Sequence, residues 1–218
     1  DPLWRALKAA ISNGADANKK SSTGQNLFLK AIEFKDMDML EFAAEHCQNL
    51  TDRDAAGNTP LHYALTAKDM KIAARVLDIY DKCPMDKNDS GQNVINLLLA
   101  DSFYHDSADK DTRALMDRIL DMGGNPDICD DKGQTLLHKA VYNDNKAMLA
   151  LVLKHAPALD MIDDNGHTPL TVAVARQDLD MVDVLLDAGA DADALNDKGW
   201  TLLDRLARDG DRTSPIVQ

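Results

Sequence analysis

The chain has 218 residues, 44% hydrophobic and 28% charged, with 37 acidic against 24 basic side chains and a formal charge of −13. That balance excludes a binder of nucleic-acid phosphates, which needs a net basic face, and the apolar content is that of a folded chain, not a disordered one. No run of about 18 apolar residues argues for membrane insertion, and Cys47, Cys83 and Cys129 form no CxxC pair, which fits reduced thiols in a cytoplasmic protein better than a disulfide framework. In chain order, Trp4, Leu7, Ala10 and Ile11 recur at helical spacing and predict a helix over 2–12. It resembles the second member of a helix pair, so either a first member lies upstream or this end has its own cap; the former is expected, because a stack of helix pairs needs a polar end and Leu3 with Trp4 would leave an apolar one. A closing phrase, NGADAN at 13–18, follows, and from there the sequence repeats itself.

Related phrases open at Gly24 (GQNLFLKAI), Gly57 (GNTPLHYAL), Gly91 (GQNVINLLL), Gly133 (GQTLLHKAV), Gly166 (GHTPLTVAV) and Gly199 (GWTLLDRLA), at intervals of 33, 34, 42, 33 and 33 residues. The closing phrase returns as GGNPDI at 123–128 and AGADADA at 188–194. Each unit predicts a tight Asp/Gly turn and a short apolar helix opened by a Thr cap with Pro at an early position, as at Thr59-Pro60 and Thr168-Pro169. A second helix follows, such as 180–186, closed by a Gly free to adopt positive φ. One pair cannot bury its apolar face alone, so successive pairs must stack.

The phrases GNTPLHYA, GQTLLHKA, GHTPLTVA, NGADAN and AGADADA resemble ankyrin repeats, and the likeness covers essentially the whole chain. The resemblance implies an all-α solenoid of stacked helix-turn-helix units joined by β-hairpin-like turns. Residues 1–218 then form one repeat domain: a partial unit at 1–19, repeats at 20–53, 54–87, 88–129, 130–162 and 163–195, a capping unit at 196–213 and a tail at 214–218. Cys47, Tyr80 and Ala156 stand where a closing Gly is expected, so those helix ends should differ. The third repeat carries an insertion near 102–110 containing Phe103 and Tyr104.

No catalytic residue, metal ligand set or cofactor is expected. His62 and His138 recur at the repeat period, which makes them structural, and no HExxH, GxSxG, GxxxxGK[ST] or GxGxxG phrase is present. All acids except Glu33, Glu41 and Glu45 are aspartates, many at the turn phase, where Asp serves the turn and not a Ca²⁺ loop.

A binding surface remains. The resemblance implies a concave face made of turn tips and exposed first-helix residues. The tips fall at Gln25, Asn58, Gln92, Gln134, His167 and Trp200, and the helix positions nine and ten places after each Gly include Glu33, Phe34, Tyr142 and Arg176. Aromatic and Arg side chains are the usual interface anchors. Phe34, Tyr142, Arg176, Trp200 and His167 are therefore the expected partner-binding residues, with Phe103 and Tyr104 of the insertion as a second group. The expected function is non-catalytic binding of another protein by a monomer. The alternative is a substrate-recruiting module of a larger enzyme or of a bacterial effector delivered into host cells. Between 163 and 195 one basic residue faces eight acidic ones, and between 88 and 129 three face eight, so a partner with a basic patch should meet one of these segments.

Overall fold

A computed structural model of the chain describes residues 2–80, 82–83, 85–99, 110–194, 201 and 204. Its helices are α1 (Pro2–Ser12), α2 (Leu27–Glu33), α3 (Met37–His46), α4 (Pro60–Ala67), α5 (Met70–Leu77) and α6 (Val94–Leu99), then α7 (Lys110–Asp121), α8 (Leu136–Tyr142), α9 (Lys146–Leu153), α10 (Pro169–Ala175) and α11 (Leu179–Asp187). The fold is an all-α helical repeat, and among the described residues there is no strand. The inserted residues 102–109, with Phe103 and Tyr104, and Trp200 lie outside the described residues.

The chain divides into two compact units, Asp1–Leu98 and Leu99–Gln218. Within the first, α2 packs on α3 and α4, and α4 on α5; within the second, α8 packs on α9 and α10, α10 on α11, and α9 on α7. The cores are aliphatic: Leu29, Ile32, Leu40, Leu61, Leu65, Ile72 and Leu77 in the first, Leu115, Ile119, Leu137, Leu149, Val152 and Leu185 in the second. Burial of these faces supplies the stability that helices of six to twelve residues cannot supply alone.

Each first helix begins with a side-chain cap, but the chemistry changes from repeat to repeat. Thr59 pairs with His62 and Thr135 with His138 in reciprocal capping boxes. Asn93 and Asn96 exchange the same two bonds, Thr168 accepts from the Thr171 amide, and the amide of Asp204 donates to the Thr201 hydroxyl. Second helices are capped by Asp36, Asp69, Asn145 and Asp178.

Between the two helices of a pair the chain turns through a left-handed residue, and none of these is glycine: Lys35, Lys68, Asp144 and Gln177 have φ of 55°, 55°, 52° and 59°. The amides of Asp36, Asn145 and Asp178 reach back to the carbonyls of Ala31, Ala140 and Ala173, the long bond of a Schellman motif. At the ends of the second helices, Ala156 takes the left-handed conformation expected of glycine, with φ of 49°. Cys47 instead leaves α3 in an extended conformation.

Asn145 differs from the other second-helix caps in a way that can be measured. It is buried, and its Nδ2 has no hydrogen-bond partner. The carboxylates at the corresponding positions have no such donor to satisfy, and they favour the positive end of the helix dipole. Asn145→Asp is expected to raise stability by about 1 kcal/mol, read as a higher melting temperature at pH 7; a lower one would show that charge burial outweighs the orphan donor.

Candidate partner-binding surface

The turn that opens the first repeat is built on Ser21, whose hydroxyl accepts from the Gln25 amide; the next four are built on an acid or its amide. Asp54 Oδ1 accepts from the Ala56 and Asn58 amides, Asp130 Oδ1 from Lys132 and Gln134, and Asp163 Oδ1 from Asn165 and His167. Asn88 Oδ1 does the same for Ser90 and Gln92. The carboxylates bring a second oxygen, which a helix side chain holds. Tyr63 donates to Asp54 Oδ2 at 2.8 Å, Tyr142 to Asp163 Oδ2 at 2.8 Å, and Lys139 Nζ lies 3.0 Å from Asp130 Oδ2.

These bonds have electrostatic consequences. Burial pushes the three carboxyls up, but the hydrogen bonds they accept outweigh it, and each is held below the ordinary carboxylate range. Burial and the bond to Asp54 push the Tyr63 phenol up to about 12.

Adjacent turns are tied to each other. The Ala55 amide donates to Thr23 O, Asp89 to Ala56 O and Asp164 to Lys132 O. This stacking leaves no room for a side chain at Gly57 or Gly133. Both have positive φ, and a Cβ on Gly133 would meet the Asp164 carboxylate at 2.7 Å and its amide nitrogen at 2.9 Å. The two repeated histidines reinforce the register, with His62 Nε2 2.9 Å from Gln92 O and His138 Nε2 2.8 Å from His167 O. Those carbonyls can only accept, so Nε2 carries the proton and Nδ1 accepts from the cap threonine.

On this scaffold the turn tips meet the exposed ends of the first helices. In the first unit Gln25 Nε2 donates to Glu33 Oε2 at 3.1 Å and to the Tyr63 hydroxyl at 2.7 Å. Gln25 is 6% exposed, so that tip is less accessible than its phase predicts. In the second unit the Tyr142 hydroxyl lies 3.4 Å from His167 Nδ1.

Phe34 is the most exposed large apolar residue among those described, at 66%, with the Lys30 ammonium 5.8 Å from its ring centroid. Arg176 holds the same repeat position. It is exposed and lines an open cleft of about 410 Å³ with Asp144, Gln177, Asp178, Leu179 and Asp180. Phe34 therefore lies in the first unit, while Tyr142, His167 and Arg176 lie in the second, where Tyr142 and His167 are in contact.

One group of side chains was invisible to motif reading. Asp117 and Asp121 of α7 and His155 after α9 each offer a ligand atom within 4.8 Å of the others. The two ring nitrogens face different carboxylates, Nε2 at 2.9 Å from Asp117 Oδ1 and Nδ1 at 3.9 Å from Asp121 Oδ1, and Lys154 Nζ bonds both Asp117 oxygens. The hydrogen bonds from His155 and Lys154 hold the Asp117 carboxyl low. This is an ion-pair clasp between consecutive second helices, and its members lie up to 38 residues apart.

The ankyrin repeat pattern, in three copies, matches residues 3–90 and 93–197. This chain belongs to the ankyrin repeat family. An ankyrin repeat protein of Acanthamoeba polyphaga mimivirus is 31% identical over 138 residues, which are 62% of this chain and 17% of that protein, so the chain spans a small part of that relative's length. Among solved structures, the ankyrin repeat domain of Bcl-3, a member of the IkappaB protein family, aligns with a TM-score of 0.66 at 20% identity over 91% of this chain and 85% of its own. That of human ASB11 gives 0.62 at 18% with the same coverage, and an ankyrin repeat domain from Acinetobacter baumannii AYE gives 0.66 at 17% over 84% of this chain and 91% of its own. Ankyrin repeats are in general protein–protein interaction modules, and in this one no helix among the described residues is long and apolar enough to cross a membrane.

Proposed function

We propose that this chain is a non-catalytic ankyrin module that binds a partner protein through its turn tips and the exposed C-terminal ends of its first helices. The observation that carries this is the pair of large exposed side chains at one repeat position, Phe34 at the end of α2 and Arg176 at the end of α10, the latter lining a cleft. Aromatic and guanidinium groups bury large area on binding at small entropic cost, and neither residue serves the turn network described above. Eight acidic residues against one basic between 163 and 195 favour a partner that presents a basic patch.

The test is affinity capture with wild type beside Phe34→Ala and Arg176→Ala, each expected to weaken the captured partner by about 1–2 kcal/mol with the melting curve unchanged. An identical captured set from the double variant would refute the reading. Tyr142 is a poorer probe, because its hydroxyl also holds Asp163 and its loss would disturb the turn.

A further inference from the structure

The outer face of the second unit is carried by its second helices, and there charges on successive repeats pair off. Lys146 of α9 bonds Asp180 of α11, and Lys154, just past α9, bonds Asp117 of α7. The same arrangement joins Arg75 of α5 to Glu41 of α3 in the first unit. On α11 the pairing stops after Asp180, for Asp183 and Asp187 are exposed and, among the described residues, no cation is placed against either.

The apolar residues of α11 are unusual as well. Met181, Val182 and Leu185 face the core, but Leu179, Val184 and Leu186 are 45%, 42% and 42% exposed. They are three of the seven large hydrophobic residues left exposed among those described, and they share one nine-residue helix. At about 100° per residue, Leu179 and Leu186 lie along one edge of its outer face, Val184 along the other, and Asp180, Asp183 and Asp187 run between them. An acidic stripe about 10 Å long with apolar borders is thus open to solvent.

We infer that this face of α11 is a docking site for a basic amphipathic helix of a partner protein. This rests on the reading of the chain as an interaction module, but centres contact on Asp183, Val184, Leu186 and Asp187, which lie outside the cleft that Arg176 shares with Leu179 and Asp180. Charge complementarity names the occupant. Lys146 answers Asp180 alone, which leaves Asp183 and Asp187 with no cation among the described residues, and a second copy of a chain with a formal charge of −13 would bring further negative charge. A helix fits because Lys or Arg at i, i+4 and i+7 span the same 10 Å as the three aspartates while their neighbours reach the apolar borders.

The probe is a synthetic peptide of about 18 residues, Lys, Leu and Ala arranged as an amphipathic helix, with a scrambled peptide of identical composition as control. Fluorescence anisotropy with the full chain should show saturable binding of the patterned peptide and at least about tenfold weaker binding of the scrambled one. Asp183→Lys/Asp187→Lys and Val184→Ala/Leu186→Ala, none of them in the Arg176 cleft, should each weaken it by about tenfold with unchanged melting temperature, while Phe34→Ala should leave it unaffected. A failure of the peptide to bind, equal binding of the scramble, or equal binding by the charge-reversed chain overturns the inference without touching the first-helix site. So does binding that emerges only in Arg205→Gln/Arg208→Gln/Arg212→Gln, which would make the chain's own C-terminal segment the occupant.

Discussion

Lys139→Met is expected to destabilise the protein by about 3 kcal/mol at pH 7, a fall of about 10 °C in melting temperature. The Lys139 side chain is 5% exposed and that of Asp130 11%, with 3.0 Å between them. Methionine keeps the length and packing of the stem but leaves the carboxylate without its counter-charge in a site that water barely reaches. Asp130 cannot move away, because its other oxygen holds the Lys132 and Gln134 amides of the turn. The penalty is therefore that of a stranded charge, larger than the net worth of the pair. Asp130→Asn/Lys139→Met should recover much of the loss, since the amide oxygen still closes the turn as Asn88 does in the preceding repeat. Lys30–Glu33 supplies the contrast, with side chains 35% and 43% exposed, so that Lys30→Met should change stability by less than about 0.5 kcal/mol. A melting temperature for Lys139→Met within 2 °C of wild type, roughly 0.5 kcal/mol, would show that the buried pair is not strongly coupled.

Acidification from pH 7.5 to 5.5 is expected to lower the melting temperature, through His62 and His138. Burial holds both rings below the ordinary histidine value of 6.5, despite the carbonyls that accept from their Nε2 atoms. The unfolded chain therefore takes up protons first. The stability from the neutral rings is fully present above about pH 6.5 and is lost as pH falls toward their folded values. The slope is at most about 1.4 kcal/mol per pH unit for each histidine. Protonation puts a second N–H at Nδ1, opposite the threonine amide that needs an acceptor there. His62→Gln/His138→Gln should start from a lower melting temperature and lose less of it over this range. Asp54, Asp130 and Asp163 act in a separate window: their folded values are depressed, so their contribution holds above about pH 3.8 and disappears as pH falls through those values. A wild-type melting temperature independent of pH between 7.5 and 5.5 would contradict the assignment of buried neutral histidines.

Repeat phase alone carried most of the architecture. Gly57 and Gly133 recur because a turn with positive φ needs them, and Thr59 and Thr135 because a helix start needs an acceptor; both demands are local, so they leave a sequence signature. The turn role of the aspartates was legible for the same reason, since Asp130 bonds the amides two and four residues on. The left-handed links at Lys35, Lys68, Asp144 and Gln177 were not, because no glycine marks them; the pairing of helices enforces that conformation against residue preference. The candidate surface divides in the same way. Counting from each glycine located Phe34 and Arg176 at an exposed position, but the same count placed Gln25 at an open tip, whereas the Tyr63 hydroxyl of the next repeat covers it.

The sequence by itself determined the repeat length, the turn chemistry, the helix starts and the excess of acid, because these depend on residues within a few positions of each other or on composition. Only the tertiary structure decided which charges meet. Lys154 could be matched to Asp117 and Lys146 to Asp180 only once successive repeats were stacked, and Lys139 to Asp130 only once the turn and first helix of one repeat were folded together. Among the described residues Asp183 and Asp187 have no cation against them; pairing across repeats follows from the superposition of helix faces about 34 residues apart, and neither member of a pair signals the other along the chain.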